Sequence, residues 1–288
     1  MYDPNLSKLL AQMSELTYVQ YNNGVPPANN GNVNLPAGFT QTASFTAPEI
    51  DIENLWPAYS KLDWQNIPGS EPVTAMNLQV QDVYFGFAAT SAQYNIIAIR
   101  GTLSAFEWLL DANIPQVPVP LVWFNNGKFQ LAKVHLGFAI FYALLIEQVL
   151  DAFNKFDNSL PCLVTGHSLG AALATMIAPT LKIADIDCSV ELYNYASPRV
   201  GNAAFAGAYS ALIPESYRVV NLSDLIPMLP PTTIDGLIYA DVPVEWSFLN
   251  QTGNIAGNHA LIGTNNYTDA VNAAIPTDAA RTYPVTGL

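Results

Sequence analysis

Residues 161–178 constrain the fold more than any other part of the chain. A short apolar run, Pro161-Cys162-Leu163-Val164-Thr165, leads into Gly166-His167-Ser168-Leu169-Gly170. A helix-forming run, Ala171-Ala172-Leu173-Ala174-Thr175-Met176-Ile177-Ala178, follows. A bare G-x-S-x-G arises by chance in about one sequence in twenty of this composition, so its context carries the weight. A strand that passes through the pentapeptide into a helix predicts a sharp turn with Ser168 at its apex. A β-carbon at either flanking position would crowd the neighbouring elements, and glycine removes it. The turn lifts the serine hydroxyl above the sheet, beside the N-terminus of the next helix. There the helix dipole and free N–H groups favour negative charge.

The rest of the chain supplies matching elements. Leu6, Leu9, Leu10, Met13 and Leu16 recur at helical spacing, which predicts a helix over 6–21 capped by Asn5 or Ser7. Residues 22–72 read as an irregular N-terminal arm; Val25, Leu35, Phe39 and Phe45 suggest that it packs on the body. Segments 80–90 and 94–100 read as a hairpin turning at Ser91-Ala92-Gln93. Segments 121–124 and 128–134 flank Asn125-Asn126-Gly127, a second hairpin signal. A helix is expected over 138–156, strands over 189–195 and 217–222, and a helix over 203–212. Strands alternating with helices predict a mostly parallel central sheet covered by helices on both faces. The 288 residues and 50% hydrophobic content suffice for one sizeable core. Nothing in the sequence marks a linker or a repeat, so a single domain over 1–288 is expected.

Composition excludes several functions. With 10 Lys+Arg against 23 Asp+Glu the formal net charge is −13. That argues against nucleic acid and against anionic membranes, and leaves neutral substrates and interfaces open. No signal peptide and no transmembrane segment are read in this chain, which fits a cytoplasmic protein or a mature secreted one. Cys162 and Cys188 are too few for a disulfide framework and read as buried thiols or a single bridge. Three histidines are too few and too scattered for a zinc site, and no cofactor is expected.

Ser168 needs a base. The candidates are His135, His167 and His259. His167 adjoins the serine at a position whose side chain points elsewhere, and His135 precedes the elbow. When a nucleophile sits on such an elbow its partners follow in the order serine, acid, histidine, which selects His259. The acid must lie between, among Asp185, Asp187, Glu191, Glu215, Asp224, Asp235, Asp241 and Glu245. Asp224 is favoured because it closes the strand-like run Tyr217–Leu222, and α/β sheets place chemistry at that end. The structural alternatives are a turn aspartate capping local N–H groups and an ordinary loop histidine.

With Ser168, Asp224 and His259 placed, the chain resembles the fungal-type lipases of the lipase class 3 family. The resemblance rests on Arg100-Gly101-Thr102, Glu107-Trp108-Leu109-Leu110-Asp111, Val134-His135-Leu136-Gly137-Phe138, the elbow itself, residues 195–202 and Asn221-Leu222-Ser223-Asp224-Leu225-Ile226-Pro227. Ala171 and Ala196 stand where glycine is usual. The resemblance implies an α/β-hydrolase fold and an oxyanion hole made by the backbone N–H groups of Thr102 and Leu169, with the Thr102 hydroxyl as a third donor. It also implies a short helical lid over 103–112 carrying Phe106, Trp108, Leu109 and Leu110. The alternative for that stretch is a fixed core helix. His135 and Arg199 read as structural.

The expected function is a serine carboxylic ester hydrolase, foremost a triacylglycerol lipase acting on neutral lipid or ester at a lipid–water interface. The alternatives are an esterase of small aryl or phenolic esters (feruloyl-esterase-like), a phospholipase A1 and, from a different class, a non-catalytic lipid-binding relic.

Overall fold

The computed structural model describes residues 1–49, 81–102, 115–119, 123, 131–263 and 266–273. Among them, seven strands form one sheet in the order β1-β2-β3-β6-β7-β8-β11. They are β1 (Thr40–Pro48), β2 (Asp82–Thr90), β3 (Asn95–Ile99), β6 (Cys162–His167), β7 (Val190–Tyr195), β8 (Ser216–Asn221) and β11 (Glu245–Phe248). The pairs β1–β2 and β2–β3 are antiparallel, whereas β3–β6, β6–β7, β7–β8 and β8–β11 are parallel. Two small ribbons lie outside the sheet: β4 (Gln116–Pro118) with β5 (Lys133–His135), and β9 (Thr233–Ile234) with β10 (Leu237–Ile238).

The described residues also include α-helices α1 (Pro4–Asn22), α2 (Leu136–Phe153), α3 (Leu169–Ala184), α4 (Ala203–Leu212), α5 (Ile255–His259) and α6 (Tyr267–Ala273), with 3-10 turns at Ala28–Gly31 and Ile226–Met228. The period-two alternation of the central strands divides the core into two layers. Ile97 and Ile99 of β3, with Cys162 and Val164 of β6, pack among side chains of α2, α3 and α4. Ile96, Ala98 and Leu163 face the opposite way, onto Leu10 and Met13 of α1 and Tyr267 and Val271 of α6. Buried on both faces, β3 and β6 read as the continuous apolar runs typical of parallel sheets. This is the α/β-hydrolase arrangement.

Helix α2 is long and apolar enough by composition to cross a membrane, with mean hydropathy 1.7 over 18 residues. Here 67% of it is buried, as the core helix on the sheet. Cys162 and Cys188 are free, buried thiols.

Three local expectations need correction. The first helix is capped by Asp3, whose carboxylate accepts from the Asn5 and Leu6 amides, with Pro4 at N1; neither Asn5 nor Ser7 is the cap. Ser7 is buried instead and bonds Tyr195. The stretch read as an irregular arm contains β1, an edge strand paired to β2 along nearly its whole length; its Thr-rich, weakly alternating sequence hid it. Residues 50–72 of that arm lie outside the described residues. In the β4–β5 ribbon the pairing runs between residues 116–118 and 133–135, and Trp123, expected in a strand, is helical.

Candidate active site

β6 ends at His167 and α3 begins at Leu169, so Ser168 alone makes the turn. Its backbone sits at φ 59°, ψ −127°, a conformation that costs a non-glycine residue on the order of 1–3 kcal/mol. The surroundings hold it there. Its N–H donates to the Tyr195 carbonyl at 3.0 Å, and its carbonyl accepts from the Ala171 amide at 3.0 Å. Both flanking glycines are required by contact. A β-carbon on Gly166 would lie 2.3 Å from the Gly170 carbonyl oxygen, and one on Gly170 would lie 2.2 Å from that of Ile99.

Asp224 follows the C-terminal end of β8 and His259 closes α5. His259 Nδ1 lies 2.8 Å from Asp224 Oδ2, and His259 Nε2 lies 2.8 Å from Ser168 Oγ. An ionised carboxylate only accepts, so Nδ1 carries the proton and Nε2 is free to accept from the serine hydroxyl. Asp224 is fully buried. Besides His259, its Oδ2 accepts from the Tyr267 hydroxyl at 2.7 Å and its Oδ1 from the Ile226 amide at 3.0 Å. These donors offset the cost of burying the charge. Burial and the adjacent Asp224 push the Tyr267 hydroxyl pKa well up, which keeps it protonated and donating.

An asparagine network ties the acid loop to the histidine loop. Asn258 Nδ2 donates to the Ser223 carbonyl at 3.0 Å, and its Oδ1 accepts from the Thr252 amide at 2.8 Å. Asn221 Nδ2 donates to the carbonyls of Asn250 and Asn258 at 3.0 and 3.1 Å.

His167 does turn away from the serine. Its Nε2 lies 2.8 Å from the His259 carbonyl oxygen, and its Nδ1 lies 2.7 Å from the Tyr18 hydroxyl. Burial, reinforced by the nearby His259, holds its pKa well below the ordinary 6.5.

The site opens into a pocket of about 570 Å³. Ser168, His259 and Thr102 sit in its wall with the apolar side chains of Ile226, Ile255, Leu261 and Ile262. Such a concave apolar site with a few convergent polar groups suits a small organic ligand. Thr102 lies just beyond β3, and Gly101 beside it packs on the elbow: a β-carbon there would lie 3.0 Å from the Ser168 β-carbon. As the first residue of α3, Leu169 contributes one of the amides that a helix leaves without an internal partner.

The structure therefore brings Ser168, His259, Asp224, Thr102 and Leu169 to one place. The candidate lid residues Phe106, Trp108, Leu109 and Leu110 lie outside the described residues. His135 is buried and caps α2, accepting from the Gly137 amide. Arg199 ties loops together through Asp241 and the carbonyls of Met228 and Pro230. Among the described residues no cluster of histidine, cysteine or carboxylate side chains is arranged to hold a metal. Sequence reasoning missed Tyr18, Tyr267 and Asn258. Only Asn258, next to His259, stood where a motif could have pointed.

A model of the family "Lipase (class 3)" matches residues 96–234. "Phospholipase A1-II 4" of Oryza sativa subsp. japonica is 30% identical over 204 residues, 61% of this chain and 50% of that protein. "Lipase" of Rhizomucor miehei is 37% identical over 152 residues, 50% of this chain and 39% of that protein. The chain thus spans half the length or less of these relatives. A crystal structure of mono- and diacylglycerol lipase from Aspergillus oryzae superposes with a TM-score of 0.61 at 20% identity, covering 88% of this chain and 82% of that one. Sequence motifs, elbow geometry and these matches agree: the chain is similar to class 3 lipases over residues 96–234 and has an α/β-hydrolase fold.

Proposed function

We propose that the protein is a serine carboxylic ester hydrolase, and that its substrates are neutral acylglycerols. The observation that carries this is the continuous relay Ser168 Oγ–His259–Asp224, with both links at 2.8 Å, in the wall of an apolar pocket. A serine hydroxyl is a weak nucleophile at neutral pH and needs such a base.

In the proposed mechanism His259 Nε2 takes the Ser168 proton as Oγ attacks the acyl carbon. The carbonyl π electrons move onto oxygen, and the N–H groups of Leu169 and Thr102 stabilise the oxyanion, with the Thr102 hydroxyl as a third donor. One such donor contributes on the order of 3 kcal/mol to transition-state stabilisation. Asp224 holds the tautomer and stabilises the imidazolium. Collapse breaks the ester C–O bond, and His259 gives its proton to the leaving alcohol. Water then repeats the sequence on the acyl-enzyme, which releases the acid and restores Ser168.

Neutral acylglycerols are favoured by the pocket lining, which among the described residues includes no lysine or arginine to meet a phosphodiester. Phospholipase A1 activity is the second reading, favoured by the likeness to the rice protein of that name. A panel of p-nitrophenyl esters, triacylglycerols and phosphatidylcholine, each with the native chain and Ser168→Ala, tests both. Loss of about 10⁴-fold or more in kcat is expected for Ser168→Ala on every substrate that is turned over. Near-full activity of that variant refutes the serine-hydrolase reading. Faster hydrolysis of phosphatidylcholine than of triacylglycerol refutes the neutral-substrate reading.

A further inference from the structure

The base of the relay is held by its backbone as well as by its side chain. The His259 carbonyl lies 2.8 Å from His167 Nε2. A carbonyl can only accept, so Nε2 carries the ring proton. With burial keeping the ring neutral, Nδ1 must accept, and the group placed to donate to it is the Tyr18 hydroxyl at 2.7 Å. Tyr18 thus selects the tautomer with which His167 grips the His259 main chain. The two imidazoles lie 4.7 Å apart between ring centres, so a shift of one displaces the other.

Tyr18 can act as a fixed point because α1 is pinned to the sheet. Ser14 Oγ lies 2.9 Å from Thr165 Oγ1 of β6, and Ser7 Oγ lies 3.2 Å from the Tyr195 hydroxyl of β7. The same Tyr18 hydroxyl abuts the segment that carries Thr102: a β-carbon on Gly101 would lie 2.4 Å from it. One phenol therefore touches the support of the base and the segment that leads to the oxyanion donor.

We propose that Tyr18 is a positioning residue for this site, acting through neutral His167 on the His259 main chain. It sets the imidazole in register with Ser168 and takes no part in bond making. The inference rests on the serine-hydrolase reading. Tyr18→Phe removes the hydroxyl and keeps the ring. It is expected to lower kcat about tenfold on a soluble p-nitrophenyl ester, with KM within about twofold, since an interaction worth one hydrogen bond is lost only where the base must be aligned. His167→Phe keeps the ring volume and removes both bonds. In that background Tyr18→Phe is expected to add less than about twofold, because the path it works through is gone. His167→Gln, whose amide still donates to the His259 carbonyl, is expected to recover part of what His167→Phe loses.

A wild-type kcat for Tyr18→Phe overturns the proposal. So does a rise confined to KM, which marks a pocket-wall contact with substrate, and so does the same loss in both His167 backgrounds. If His167→Phe does not fold, the kcat-against-KM split of Tyr18→Phe decides, with its rate of labelling by a fluorophosphonate. Ser168→Ala run alongside separates the two levels. An active Ser168→Ala sinks the hydrolase reading itself, whereas a dead Ser168→Ala beside a fully active Tyr18→Phe sinks only the role of Tyr18.

Discussion

Tyr267→Phe isolates the support beneath the acid. The Tyr267 hydroxyl donates to Asp224 Oδ2 at 2.7 Å and accepts from the Asn221 amide at 3.0 Å. Phenylalanine keeps the ring and its edge contact with Phe248, at 5.2 Å between centres, so packing is conserved. Two losses remain. A hydrogen bond to a buried carboxylate contributes about 1.5–3 kcal/mol, and an amide left without a partner costs about 1–3 kcal/mol. Asn221, Asp224 and Tyr267 are each fully buried, so water does not replace either bond. Because both losses meet in one network they do not simply add, and about 3 kcal/mol is expected. That corresponds to a fall in Tm of about 5 °C. Asp224 keeps the Ile226 amide and His259, so activity survives with kcat lowered about tenfold and KM unchanged. Calorimetry and steady-state kinetics on a soluble ester check both numbers. A destabilisation under about 0.5 kcal/mol with unchanged kcat would refute the argument that this hydroxyl supports the acid.

Three further outcomes follow from the same geometry. Gly170→Ala would place its β-carbon 2.2 Å from the Ile99 carbonyl oxygen; backbone cannot yield cheaply there, so a loss of about 3 kcal/mol or more is expected, and a wild-type denaturation midpoint would contradict it. His167 resists protonation in the folded state, its pKa lying well below the ordinary 6.5. Below about pH 6.5 the unfolded chain takes up a proton that the native state refuses, so stability falls with pH by up to about 1.4 kcal/mol per unit from this residue; His167→Gln should flatten that slope between pH 6.5 and 5 in urea titrations, and an unchanged slope would count against it. If residues 103–112 form a lid, Trp108→Ser should lower activity on emulsified triacylglycerol more than on a soluble short-chain ester, because exposing a large apolar side chain costs about 1.5–3 kcal/mol in water and little at lipid; equal losses would favour a fixed helix.

The parts of this site legible in the sequence are those written in local chemistry. Gly166 and Gly170 announce the elbow because no other residue fits the contacts they make. Asp224 is legible because it closes an apolar strand, and His259 because only three histidines exist. The supports were not legible, since each acts across long sequence distances. Tyr18 meets His167 across 149 positions and Tyr267 meets Asp224 across 43, and a tyrosine on an amphipathic helix carries no mark of its partner. The N-terminal helix was found by its apolar spacing, yet it also buries Ser7, Ser14, Thr17 and Gln20, a polar side that periodicity assigns to solvent. Ala196 stands where glycine is usual in class 3 lipases. It sits at φ 53°, which explains why glycine is usual there.

Labelling with a fluorophosphonate probe, followed by peptide mass mapping, tests the Ser168–His259 assignment directly. One adduct, on Ser168, is expected, with a large loss of labelling rate in His259→Ala. An adduct on another serine, or equal labelling of native protein and His259→Ala, would contradict it.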